Sequence, residues 1–270
     1  MATVGTMSPS DFEGRVYGPV PWSATAVAVG DFIALTGDDP DRWQHHAPPG
    51  FAAAALFAVA PDLLAELYDR SVVHGEQTFD WARPMPIDVR CDVAGTVTRV
   101  RERARVHFMT FEVEVGDDDG VIVIGRSLFL LSGESLAAGS GAVEHPERPQ
   151  SYRGDPGDGE VSASRADLVR YAAATRDWNP VHWDHDAGVA AGFPGVVVHG
   201  LLQAGWALRA ATQPTTGARP FAKSRFRFRN PLLPARPARL TVSTGDKGID
   251  VTLASTDTEY MTANMTLSDE

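Results

Sequence analysis

Residues 199–211, HGLLQAGWALRAA, are apolar nearly all the way round. A helix of this kind has no polar face to turn towards water, so it must be enclosed on most sides. Residues 51–68 read the same way, with Pro61 expected to interrupt the helix. Each helix is followed by runs of strand chemistry: 89–100, 106–115 and 121–131 after the first, and 224–230, 239–244, 249–254 and 260–267 after the second. Asp119-Gly120 and Gly245-Asp246-Lys247-Gly248 mark hairpin turns. One buried helix with several antiparallel strands, stated twice, implies a sheet wrapped around a central helix in each half. That is an α+β architecture.

The two halves resemble one another in the order of their signals, which indicates an internal repeat. Leu35-Thr36-Gly37-Asp38-Asp39-Pro40 answers Ala174-Thr175-Arg176-Asp177-Trp178-Asn179-Pro180, with one residue fewer in the first copy. Pro49-Gly50-Phe51 answers His199-Gly200-Leu201, 150 residues later, and Phe79, Trp81, Arg83 and Pro84 answer Phe226, Phe228, Asn230 and Pro231, 147 residues later. Between the copies, residues 134–160 are rich in Gly, Pro, Ser and acidic residues and nearly free of large apolar ones, the composition of a linker. The expected organisation is therefore residues 1–133, a linker at 134–160, and residues 161–270, with each half of single-domain size.

The 270 residues are 43% hydrophobic and 22% charged, which excludes collagen, coiled coil and wholesale disorder. The net charge is -11, and Lys223 and Lys247 are the only lysines. That balance disfavours nucleic acid or an anionic membrane as a partner, and any anionic ligand must be met by a local arginine cluster. A single cysteine, Cys91, leaves no intramolecular disulfide and no cysteine-built zinc site. With no signal-peptide pattern at the start and no unbroken apolar run longer than residues 51–60, a cytoplasmic protein without a membrane span is expected.

Chemistry concentrates in Asp177-Trp178-Asn179-Pro180-Val181-His182-Trp183-Asp184-His185-Asp186, followed by His199-Gly200 at the start of the apolar helix. Such a loop serves ordinarily as a solvated turn and helix cap. Trp178 and Trp183 point instead to partial burial, and buried Asp and His must be paired or shifted in pKa. Asp177 and His182, flanking a proline-stiffened turn, can converge on one water, the minimum equipment for acid–base work near neutral pH. His182-x-Asp184 also has the spacing of a non-haem iron site, with His199 or His185 as third ligand. In such a triad the last histidine comes from a distant strand, so no metal is expected.

Tyr171-Ala172, Thr175, Asp177 to Asp184, Ala191-Gly192-Phe193 and His199-Gly200-Leu201 together resemble the signature of the MaoC-like (R)-specific enoyl-thioester hydratases and 3-hydroxyacyl-thioester dehydratases. Gly14-Arg15-Val16, Gly37-Asp38-Asp39-Pro40, residues 47–51 and His74-Gly75-Glu76-Gln77 resemble the dehydratase-like domain that precedes the catalytic one in that family. The resemblance implies a double hot dog fold. It also implies a hydro-lyase acting on an acyl thioester carried by coenzyme A or an acyl carrier protein, with no cofactor of its own. Asp177 and His182 become the catalytic pair, their acid and base roles unassigned. The N–H of Gly200 becomes the oxyanion donor, and Asn179, Phe193 and His199 become substrate-site residues. A mesaconyl-type hydratase and a non-catalytic hot dog partner subunit are the alternatives, and pairing into a homodimer is the expected assembly.

The first copy departs from the signature where it matters, since Arg42 stands where His182 would be and Pro49 where His199 would be. The expectation is a degenerate half that completes the sheet and widens the acyl tunnel. Lys223, Arg225, Arg227 and Arg229 alternate with Ser224, Phe226, Phe228 and Asn230, so a strand there carries a basic stripe on one face. Either the stripe is a solvated outer face, or Arg225 and Arg227 receive the phosphates of coenzyme A or phosphopantetheine.

Overall fold

The structure, a computed structural model, describes residues 8–67, 71–132, 159–245 and 248–269. Residues 134–158 of the expected linker, Tyr68, and Asp246 and Lys247 of the second hairpin turn lie outside these ranges. The first repeat runs β1 (Val16–Trp22), α1 (Ala26–Thr36), α2 (Ala52–Glu66), β2 (Ser71–Trp81), β3 (Cys91–Arg103), β4 (Val106–Asp117) and β5 (Gly120–Ser132). The second runs β6 (Glu160–Val161), α3 (Arg165–Thr175), α4 (His185–Ala190), α5 (Gly200–Thr212), β7 (Phe221–Phe228), β8 (Ala238–Gly245), β9 (Gly248–Ala254) and β10 (Glu259–Leu267).

All ten strands form one antiparallel sheet in the order β1-β3-β4-β5-β2-β7-β10-β9-β8-β6. The second five strands repeat the order of the first five, and the two sets meet where β2 pairs with β7. At that seam Thr78 stands opposite Arg225, residues that are repeat partners at the 147-residue spacing, so a pseudo-twofold axis passes through the pair. This is the double hot dog arrangement, with α2 and α5 as the two enclosed helices.

Enclosure follows from composition. Every residue of α5 from Leu201 to Leu208 is buried, as are Ala52–Leu56, Val59, Ala60 and Leu63 of α2. Each buried Leu or Val contributes about 1.5–3 kcal/mol, and neither helix has a polar face to offset a move into water. The stretch Pro49–Glu66 has the length and the mean hydropathy, 1.3, of a membrane-crossing helix, yet over half of it is buried against the sheet. Contrary to expectation, Pro61 does not interrupt α2. It lies on the exposed side of the helix, away from the packed face.

Two further helices, α1 and α3, precede the polar turns and end alike. Thr25 caps α1 through the N–H of Ala28, and Ser164 forms a capping box with Asp167 at the start of α3. Each helix closes on a left-handed residue, Gly37 (φ 71°) and Arg176 (φ 67°). The next residue in each case is the acidic one, Asp38 or Asp177. The outer face of the seam is laced by ion pairs. Arg126 pairs with both Asp80 and Glu112, Lys223 lies 3.0 Å from Asp80, and Arg225 and Arg227 lie 2.6 and 3.4 Å from Glu76.

Candidate active site

The end of α3 places Asp177 under cover, 6% exposed. Its Oδ1 accepts a long hydrogen bond (3.4 Å) from the N–H of Asn179, and Asn179 Oδ1 accepts from Val181 N–H at 3.3 Å, so the Asn-Pro turn is tied to itself. The turn delivers His182, whose Nδ1 lies 2.8 Å from the carbonyl oxygen of Val197. A carbonyl can only accept, so the neutral ring holds its proton on Nδ1 and presents a lone pair on Nε2. His199 stacks on His182 with ring centroids 3.8 Å apart and planes 25° apart, and its Nε2 donates to the carbonyl of Asp177 at 3.3 Å.

Burial sets the electrostatics. It pushes the Asp177 carboxyl above the usual carboxylate range, against the pull of His182 and of the Asn179 N–H. It also pushes the fully buried His199 well below the ordinary histidine value, with His182 adding to the effect, so His199 is neutral. Behind the pair, Tyr171 Oη and His199 Nδ1 are buried without a hydrogen-bond partner.

His199 is also the residue before α5, and its side chain makes no capping hydrogen bond. The first N–H groups of α5, starting with Gly200, therefore keep their donors and the positive end of the helix dipole. A Cβ at Gly200 would lie 3.1 Å from the Phe228 ring, so glycine is what allows this helix end and the strand to approach.

These groups open on one cavity of about 190 Å³. Asp177, Asn179, His182, Phe193 and Gly200 line it from the second repeat, and Leu56, Phe57, Val72, His74 and Phe129 line it from the first. His199 stands behind His182 and does not line the cavity. Arg225 and Arg227 point to the opposite face of the sheet, where both pair with Glu76, and it is Arg229 that reaches the cavity rim. Trp178 and Trp183, expected to bury the loop, are 48% and 44% exposed. They ride on its outside with the Trp183 Nε1–H donating to the carbonyl of Trp178.

Two polar lining residues, Gln203 and His74, are not among the site residues expected from the sequence. Gln203, one turn into α5, is buried with its Oε1 unpaired; a lone amide in an apolar helix was its signal. His74, on β2, packs its ring 5.1 Å from Phe129 and 5.2 Å from Phe228. Burial pushes it down to about 4, against hydrogen bonding to the Glu76 backbone and Gln77.

One atom each from Asp177, His182 and His199 lie within 4.8 Å of one another, a grouping that suits a metal by count alone. The two imidazoles are stacked, and lone pairs in the planes of stacked rings do not converge on one ion. Asp184 is committed elsewhere, since its Oδ1 accepts from the N–H groups of Asp186 and Ala187 at the start of α4. The arrangement suits proton transfer beside an oxyanion site.

Residues 147–264 match the family described as MaoC like domain. The chain is 27% identical over 231 residues to 3-hydroxyacyl-thioester dehydratase X of Mycobacterium tuberculosis, covering 83% of this chain and 79% of that protein. It is 24% identical over 170 residues to the peroxisomal enoyl-CoA hydratase 2 of Arabidopsis thaliana, covering 55% of this chain and 52% of that protein. A solved Mycobacterium tuberculosis protein described as having a double hotdog fold superposes with a TM-score of 0.60 at 12% identity, over 94% of this chain and 96% of that one.

Proposed function

The chain belongs to the MaoC-like dehydratase family, and from that premise we propose that it is a hydro-lyase. It adds water reversibly across the double bond of a 2-enoyl thioester, or removes water from the (3R)-hydroxyacyl thioester. The observation that carries this reading is the placement of Asp177 and the lone-pair nitrogen of His182 beside the uncapped start of α5, in a cavity walled mostly by apolar side chains.

A thioester carbonyl at the start of α5 accepts from the N–H of Gly200, and the helix dipole stabilises the enolate-like charge that forms there. One such donor contributes about 3 kcal/mol. In hydration, His182 Nε2 takes a proton from water as its oxygen bonds to C3, and the Asp177 carboxyl, kept protonated more readily by burial, gives a proton to C2. The proton then returns from His182 to Asp177, and dehydration runs the same steps backwards. The two groups interact, so the apparent pKa values seen in a pH–rate profile belong to the pair. No cofactor is needed for these steps. The acyl group is carried on coenzyme A or phosphopantetheine, its chain lying against α2 and β2, and two chains pair as a homodimer.

The test is the loss of enoyl-thioester absorbance when the protein is mixed with crotonyl-CoA and with longer or branched 2-enoyl-CoA esters. The expected result is turnover by the natural sequence and none above background by Asp177→Asn His182→Ala. Equal rates from the two proteins would exclude the assignment of the pair.

A further inference from the structure

Arg42 occupies the place of His182 in the first repeat, two residues beyond Pro40 as His182 is two beyond Pro180. It has not become an idle surface residue. Its Nη1 donates to the carbonyls of Thr212 (2.8 Å) and Thr215 (3.1 Å), and its Nη2 donates to Thr215 Oγ1 (3.1 Å) and to the carbonyl of Gly217 (3.0 Å). These acceptors are the last residue of α5 and the turn that follows. The guanidinium also lies over the Trp43 ring at 4.8 Å, and Trp43, 2% exposed, is anchored by its Nε1–H donating to Asp38 Oδ1 at 2.8 Å.

The end of α1, just ahead of this loop, meets α5 at three more points. Trp206 Nε1 donates to the carbonyl of Leu35 at 3.4 Å and Arg209 Nε to that of Thr36 at 3.3 Å. At Gly205 an added Cβ would stand 3.0 Å from Thr36 Cγ2, so α5 rests directly on the end of α1. A helix of 13 residues with ten of them buried moves as a rod. A shift at its C-terminal end therefore appears at its N-terminal end, where Gly200 meets the thioester.

We propose that Arg42 is a positioning residue for the hydro-lyase reaction: the former catalytic loop of the first repeat clamps the C-terminal end of α5 and so sets where the Gly200 N–H stands in the other repeat's active site. This rests on the reading of Gly200 as oxyanion donor. The four-point grip uses the planar fork of arginine, which a lysine ammonium cannot reproduce while keeping the charge that favours a helix C-terminus.

The experiment reads the donor directly. Butyryl-CoA labelled with carbon-13 at the thioester carbonyl is saturated and cannot react, and its carbonyl stretch in difference infrared spectra falls when the oxygen accepts a hydrogen bond. The natural sequence should lower that frequency, and Arg42→Ala and Arg42→Lys should each recover part of the drop. At a temperature well below all melting points, kcat for crotonyl-CoA should fall about tenfold in both variants with KM changed less than about threefold. Thr215→Val, which removes one of the four Arg42 contacts together with the bond from Thr215 Oγ1 to the Thr212 carbonyl and is expected to fold, should give a smaller shift of the same sign. Variants that melt earlier but keep the full carbonyl shift and full kcat would overturn the clamp. An unshifted carbonyl in the natural sequence would overturn the Gly200 reading itself, and the clamp with it.

Discussion

The pseudo-twofold axis relates two sites, and they have gone opposite ways. The cavity beside Asp177 and His182 holds about 190 Å³, and its twin, lined by Pro48, Pro49, Trp81 and Phe221 among others, holds about 10 Å³. Trp81 and Phe221 stand at the repeat positions of Phe228 and His74, and Pro49 stands at that of His199. Both repeats keep an acid after a left-handed helix end, the buried Asp177 in one and the half-buried Asp38 in the other, and desolvation raises the pKa of each. The acid alone therefore does not make a site. What differs is a histidine with a lone pair to offer and room in front of it.

The comparison can be broken by experiment, most sharply at the acids. Asp177→Asn should lower kcat by about 10²–10⁴. Asp38→Asn, which keeps an oxygen for the Trp43 N–H, should leave kcat within about twofold in the same assay. Equal losses would mean that the twin contributes to turnover. Next in size, Phe221→Ala should cost about 3–5 kcal/mol in denaturant unfolding, because Phe221 is 1% exposed and fills the twin; a cost below about 1 kcal/mol would show that the twin is not closed by packing. Gly200→Ala should lower kcat by about tenfold or more, since its Cβ meets the Phe228 ring at 3.1 Å. The equivalent change in the other repeat, at Gly50, would confuse the issue, because a Cβ there meets the Phe32 ring and Gly205 of the clamped helix.

The smallest effect sharpens the comparison at His74, whose repeat partner is Phe221. The folded pKa of about 4 lies below the ordinary value of 6.5, so between these pH values the unfolded chain binds a proton that the folded chain does not. This contribution costs nothing above pH 6.5 and costs stability progressively as pH falls towards 4, by at most about 1.4 kcal/mol per pH unit. His74→Phe lacks it. Unfolding free energies of the two proteins at a series of pH values should diverge in favour of the phenylalanine variant below pH 6.5. Parallel curves would mean that His74 takes up its proton as easily as in a free chain.

How much of this was legible in the sequence depended on the range of the signal. Helix α5 and the strands after it announce themselves locally, through apolar composition and alternation. Asp177, His182 and Gly200 stand close in sequence, so one turn and one helix start bring them together. The two-residue β6 is too short to carry any periodicity. Helices α1 and α3 carry start signals, Thr25 and the Ser164/Asp167 box, but neither gathers its apolar residues on one face, so no helical stripe marks them. The exposure of Trp178 and Trp183 was misjudged because Asp177 is covered from the other side, where Tyr171 and His199 lie. His74, Phe129 and α2 meet the Asp177–His182 loop only after the two halves pair, and no local pattern encodes that. The basic stripe on β7 was visible, but its partner stripe on β2 became meaningful only once the register was known.

That register has a consequence for assembly. Across the seam Glu76 faces Arg227 and Asp80 faces Lys223, so β2 brings acids and β7 brings bases. If β2 paired instead with the β2 of another chain about the same centre, Glu76 would face Asp80; two β7 strands would set Arg227 against Lys223. Like charges directly opposed destabilise a ladder. Each half thus repels its own copy and attracts its sibling, and this favours correct closure of the chain on itself over strand exchange between molecules crowded together during synthesis.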